Sequence, residues 1–140
     1  MAIKQTNIFP IDQQPRNAVG LAYPFSAFAT TGSVPFQLNY TTKDQIKSNL
    51  VVFFTTSPGE RPLNPDYGGG LKDIVFEQLT TNTFEIVEKR VKDGLAIYFP
   101  EVKLMNLEVL EDIDNNQLKV VMSYTVFNNN EDTVEINFNL

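Results

Sequence analysis

Gln117–Phe127 reads QLKVVMSYTVF, and its period decides the fold. Leu118, Val120, Met122, Tyr124 and Val126 recur at every second position, which places them on one face of an extended strand. The same period holds on both sides of this stretch. Residues 102–110 form a strand before it, with IDNN as the intervening turn. NNNED then leads into a third strand, Thr133–Leu140, with Val134, Ile136, Phe138 and Leu140 on one face and Thr133, Glu135, Asn137 and Asn139 on the other. Three strands joined by short turns imply an antiparallel meander.

Upstream the period lengthens to that of a helix. Phe84, Val87, Val91, Leu95 and Tyr98 trace one stripe, while Glu88, Lys89, Lys92 and Asp93 take the wet side. Asn82 and Thr83 are available as caps, Glu85 suits the first turn, and Pro100 stops the helix. Earlier, Thr41 and Thr42 offer an N-cap, and Gln45 lies three residues after Thr42 as in a capping box. Ile46, Leu50, Phe53 and Phe54 follow, so residues 43–55 are expected to be helical. Leu71–Phe76 is expected to make a short helical turn. Residues 1–40 read as extended, because Pro10, Pro15, Pro24 and Pro35 each forbid a helix interior. Within them SVPFQLNY alternates, with Val34, Phe36, Leu38 and Tyr40 on one face, and this strand is a candidate to join or cover the sheet. The expected architecture is α+β. It is a single domain whose C-terminal three-stranded meander packs against two main helices and a short helical turn, over residues 31–140. Residues 1–30 read as an extended arm whose first fifteen or so residues order only against a partner.

Composition excludes several classes of function. The chain has 140 residues, with 11 basic against 17 acidic side chains and a net charge of -6, which argues against nucleic-acid binding through phosphates. No apolar run is long enough to span a bilayer, and the N-terminus lacks the hydrophobic run of a secretion signal. The protein therefore reads as made and kept in a cytoplasm, with no membrane partner. With no Cys and no His, disulfides, zinc-thiolate sites and Ser-His or Cys-His nucleophiles are excluded. No metal or cofactor is expected. Any catalysis would rest on carboxylates, Lys or Tyr.

Between the first helix and the helical turn lies TTSPGERPLNPDYGGGLKDIVFE, Thr55–Glu77, with three prolines and four glycines. Pro58, Pro62 and Pro65 each fix φ and restrict the residue before them, so the loop is stiff and loses little entropy on binding. Glu60 and Arg61 are neighbours in an extended backbone and point apart. Arg61 is expected to seek another carboxylate, Asp66 or Asp73, either to lock the loop onto its own domain or to dock it elsewhere. The glycine triplet is a poor phosphate cradle, since no Lys-Ser/Thr follows it.

PGERPLNPDYGGGLKDIVFE resembles the signature of the baseplate wedge family of contractile phage tails and related injection machines, PGER-x-x-x-PDFG-x-x-L-x-x-x-[LF]FE. Gly59, Glu60, Arg61, Pro65, Asp66, Gly68, Leu71, Phe76 and Glu77 occupy matching positions, with Tyr67 where Phe is usual. The resemblance runs from about residue 40 onward and leaves out residues 1–30. It implies a structural component of a virion tail baseplate, assembled in the host cytoplasm in multiple copies around the tail axis. It also implies two interfaces. One is the loop, with Glu60, Arg61, Pro62, Asp66 and Tyr67 held to the helical core-bundle proteins of the wedge and Asp66 orienting the loop. The other is the terminal strand, where Thr133, Val134, Glu135, Ile136, Asn137, Phe138, Asn139 and Leu140 would join the first ring of tail sheath protein.

The strand itself supports addition of a partner strand. It carries Asp132 and Glu135 but no Lys to blunt an exposed edge, although the Ser33–Tyr40 strand is an alternative cover. A second function class is a lysozyme, since family members carry that label. A glycosidase needs two carboxyl groups across a cleft, for which Glu60 with Asp66 or Glu77 with Asp73 are the candidates. The adjacent Arg61 and the single aromatic of the loop, Tyr67, argue against it.

Overall fold

The computed structural model describes residues 17–23, 37–76, 82–112, 117–126 and 131–139. Its contacts fall into two units, residues 1–52 and 53–140, and each is described by itself. The fold class is the α+β expected.

In the first unit, β1 (Gly20–Leu21) pairs antiparallel with β2 (Leu38–Asn39), and Val19 N–H and Ala22 N–H donate to the carbonyls of Asn39 and Gln37 at 2.8 and 2.9 Å. The expected Ser33–Tyr40 strand is thus represented by two described residues, and they pair with Gly20–Leu21 instead of joining the C-terminal sheet. Val34 and Phe36 lie outside the described residues. The expected apolar face is also displaced, because the buried residue is Asn39 while Tyr40 is exposed. A polar network explains this. The Asn39 side-chain amide nitrogen lies 3.0 Å from Ser48 Oγ, 3.0 Å from Gln45 Oε1 and 3.2 Å from the Leu21 carbonyl oxygen, and Tyr23 N–H donates to Ser48 Oγ at 3.2 Å. A buried amide with this many partners ties three segments into one arrangement. Residues 1–16, including most of the expected arm, lie outside the described residues.

Helix α1 (Thr42–Thr55) starts one residue earlier than expected, because Thr41 is the cap. Thr41 Oγ1 accepts from Asp44 N–H at 3.2 Å and donates to the Asp44 carboxylate at 2.6 Å, so the reciprocal partner is Asp44 and not Gln45. Ile46 and Leu50 on this helix are buried, as are Phe53 and Phe54 at its end.

The second unit continues with α2 (Leu71–Phe76) and α3 (Thr83–Tyr98), which contact one another, and α3 also contacts the first strand of the sheet. Val87, Val91 and Leu95 form the buried stripe, whereas Phe84, expected on it, is 44% exposed in the first turn. Asn82 stands at the N-cap position with helical φ and ψ and makes no side-chain capping bond. A turn from Phe99 to Val102, with Pro100 second and a 2.9 Å bond closing it, redirects the chain into the sheet.

That sheet is β3 (Val102–Asp112), β4 (Gln117–Val126) and β5 (Glu131–Asn139), in the order β3-β4-β5 with both pairings antiparallel. The register slips between Leu104 and Asn106, leaving Met105 as an extra residue on β3. The bulge switches which parity faces the core. Val102 is buried before it, Leu107 after it, and Met105 itself is exposed. Val120, Met122, Tyr124 and Val126 of β4 and Val134 and Ile136 of β5 are buried, in agreement with the alternation. The IDNN turn and Leu140 fall outside the described residues.

At Gly94, α3 comes close to the end of α1. A Cβ there would stand 2.6 Å from Phe53 Cε1 and 3.1 Å from Phe53 Cζ. Gly→Ala in a helix ordinarily gains up to about 1 kcal/mol, but overpacking a filled core costs about 1–3 kcal/mol. Because the Phe53 ring is hemmed in on several sides, overpacking wins. Gly94→Ala is expected to lower stability by about 1–2 kcal/mol in urea unfolding; an unchanged or higher midpoint contradicts this packing.

Candidate functional site

The Ser57–Gly70 segment is built from three consecutive turns with proline at the second position of each. Glu60 N–H donates to the Ser57 carbonyl at 3.2 Å across Pro58–Gly59, Asn64 N–H to the Arg61 carbonyl at 3.1 Å across Pro62–Leu63, and Tyr67 N–H to the Asn64 carbonyl at 3.1 Å across Pro65–Asp66. Proline's fixed φ suits that position, and Gly59, with φ 92°, supplies the positive φ that a type II turn needs at the third. A bond of 2.7 Å from Gly59 N–H to the Pro65 carbonyl ties the first turn to the third. The loop returns to the helix end through Gly69 N–H on the Phe53 carbonyl at 2.8 Å and Gly70 N–H on the Thr56 carbonyl at 3.0 Å. These bonds satisfy carbonyls that a helix C-terminus leaves over. Gly68 allows this return, since its φ is 131° and any Cβ there would collide with the Thr56 carbonyl oxygen.

The loop stands on an aromatic base. The Phe53 ring lies 5.0 Å from Phe54, 5.1 Å from Tyr67, 5.0 Å from Tyr98 and 5.4 Å from Phe99, mostly edge to face, and Tyr67 also meets Tyr98 at 5.3 Å. Edge-to-face contacts of this kind add to area burial. Tyr67 thereby joins the loop to α1 and α3 at once.

The structure corrects the expectation for Arg61. Its guanidinium carbon sits 3.9 Å from the Tyr67 ring centroid, and it makes no ion pair with Asp66, Asp73 or another described carboxylate. Asp73 instead accepts from Ser57 Oγ at 3.0 Å, and Asp66 is exposed on the third turn. Glu60 turns inward along the loop, its carboxylate accepting from Ser57 N–H at 3.1 Å. The first turn is therefore braced by Glu60 and the third by Tyr67 beneath Arg61. Pro62 and Leu63 form the tip, and Leu63 is wholly exposed (101%). Leu63 went unnoticed in the sequence because a lone leucine carries no pattern; its position third in an Arg-Pro-Leu-Asn turn was the available signal.

Glu60 and Asp66 are both exposed, and Asp73 is exposed and hydrogen-bonded. None is enclosed in the apolar setting that makes a carboxylic acid a proton donor near neutral pH. Glu77 lies outside the described residues.

At the other expected interface, β5 is an edge of the sheet, hydrogen-bonded to β4 on one side and to no other described strand. Val134 and Ile136 are core residues, while Thr133 and Glu135 are exposed, with Glu135 on Lys119 of β4 at 2.8 Å. Thr133 N–H donates to the neighbouring Asp132 carboxylate at 2.9 Å. Asn137, Phe138 and Asn139 continue the strand.

A family model described as baseplate wedge protein gp25 matches residues 41–131. The baseplate wedge protein gp25 of Enterobacteria phage T4 is 30% identical over 95 residues, covering 68% of this chain and 72% of that protein. Among solved structures, a protein from Geobacter sulfurreducens that bears the name tail lysozyme aligns with a TM-score of 0.63 over 80% of this chain and 96% of its own; at 24% identity the likeness is one of fold. A chain of the anti-feeding prophage baseplate, a six-fold symmetrised cryo-EM structure, aligns with a TM-score of 0.60 at 25% identity, covering 77% of this chain and 84% of that one.

The geometry ranks two side chains. Removing an exposed cation–π contact costs less than about 1 kcal/mol, whereas truncating a packed aromatic costs about 2–4 kcal/mol. Arg61→Ala is expected to keep a near-native urea midpoint and Tyr67→Ala to lose at least about 2 kcal/mol. The reverse order would make Arg61 the internal lock of the loop.

Proposed function

We propose, from the premise that this chain belongs to the baseplate wedge protein gp25 family, that it is a structural wedge component joining the wedge core bundle of a contractile tail to its first sheath ring. Baseplate membership carries with it a setting of many protein partners, as in the phage and prophage assemblies above. The observation that carries the finer reading is the loop. Its three proline turns, its internal bonds and its aromatic base leave little entropy to lose on docking, and it spends this order on an exposed tip. In this reading Glu60, Arg61, Pro62, Asp66 and Tyr67 form the face presented to the core-bundle proteins. Copies stand around the tail axis of a virion baseplate built in the host cytoplasm.

The second interface is the outer margin of β5, where a strand from a sheath subunit adds to the sheet by backbone hydrogen bonds. A nine-residue edge strand without Pro or Lys supports this reading. Truncation is a poor test of it, because Val134 and Ile136 belong to the core. Hydrogen exchange is better. Amides of 131–139 are expected to gain protection when the sheath protein assembles on the baseplate, and unchanged exchange in a sheathed tail contradicts strand addition.

The protein acts without catalysis in this account. The exposed, internally bonded carboxylates of the loop support that, and the lysozyme name belongs to a relative in fold. Purified protein is expected to leave peptidoglycan intact. Turnover that Glu60→Gln abolishes would reinstate the enzyme.

A further inference from the structure

Glu60, Arg61 and the exposed Asp66 carry the charge of the loop, and the first two are already engaged within it. The Glu60 carboxylate holds Ser57 N–H, and one face of the Arg61 guanidinium lies on Tyr67. What the loop offers outward is the turn between them and Pro65. There Pro62 fixes the second position and Leu63 projects from the third, with 101% relative exposure. A leucine so exposed contributes nothing to the core of its own chain. Its turn is closed by the Asn64 N–H bond to the Arg61 carbonyl, so its Cα is held in place before any partner arrives. Beside it, the edge of the Arg61 fork has no carboxylate among the described residues.

Resting on the wedge-docking reading above, we propose that Leu63 is the anchor of that interface. It enters an apolar pocket of the core-bundle partner whose rim supplies a carboxylate to the outer edge of Arg61. Charge complementarity selects this occupant. A pocket with a basic rim would face the unpaired guanidinium, whereas an acidic rim completes it with a planar, two-bonded pair. Glu60 is then a positioning residue that sets the first turn, and the binding free energy concentrates in a few central side chains, Leu63 and Arg61 among them. Pre-ordering by Pro62 removes most of the cost of fixing that group.

The test is co-expression with the wedge core-bundle proteins of the same particle, followed by co-purification. Leu63→Ser is expected to unfold in urea like the parent and to weaken capture by about tenfold or more, the loss expected for one fully buried leucine. Leu63→Met is expected to restore capture. The cysteine-free chain adds a second measure. Leu63→Cys should react with a maleimide at once in free protein and at least about tenfold more slowly in the complex. If Leu63→Ser and the parent are captured equally while Arg61→Ala is lost, the loop docks but Leu63 is not its anchor. If neither Leu63→Ser nor Arg61→Ala changes capture, wedge docking through this loop fails, and the anchor with it.

Discussion

The Phe53 ring is the point on which the second unit turns. It closes α1, lies perpendicular to the Tyr67 ring of the returning loop, and meets Tyr98 and Phe99 at the end of α3. Gly94 is a glycine because that ring fills the space a Cβ would need. The Phe53 carbonyl accepts from Gly69 N–H, so side chain and main chain of Phe53 together fix where the loop begins and ends. Large aromatic groups suit this role, since one ring can present faces and edges to several neighbours at once.

Stiffness in the loop has two origins of different kind. The prolines act on the unfolded chain, narrowing its choices before folding. The hydrogen bonds and the Tyr67 contacts act on the folded state. Neither needs the salt bridge that an Arg among carboxylates invites one to assume. An exposed ion pair would have contributed at most about 1 kcal/mol, so little is lost by leaving the guanidinium edge open. The sheet shows the complementary economy. β5 uses alternate residues for the core and leaves the others, Thr133 and Glu135 among them, in water.

Much of this was legible in the amino-acid order, and the failures have physical causes. The alternation of Val120 to Val126 and the stripe of Val87, Val91 and Leu95 report burial directly, and both elements stand where their periods place them. The bulge at Met105 was not legible in 102–110, which reads as one uninterrupted strand, because Met105, Leu107 and Val109 alternate as cleanly as Val102 and Leu104. The stiffness of the loop was legible from its prolines; the division into Ser-Pro-Gly-Glu, Arg-Pro-Leu-Asn and Asn-Pro-Asp-Tyr turns, each with proline second, came with the structure. Asn39 was missed because apolar counting passes over a polar residue buried by its hydrogen bonds. Phe84 misled because the stripe was extended to a first turn that the core does not reach. Arg61 on Tyr67 was beyond local reading: the ring is placed by α1 and α3, which only the fold brings together.

The central claim is that the Pro-framed loop is fully built before it meets a partner. Backbone ¹⁵N relaxation of the free protein tests it most directly. The account predicts order parameters for Gly59–Tyr67 like those of α3, about 0.85, whereas values below about 0.6 would mean a loop that gains its shape only on binding and would contradict it.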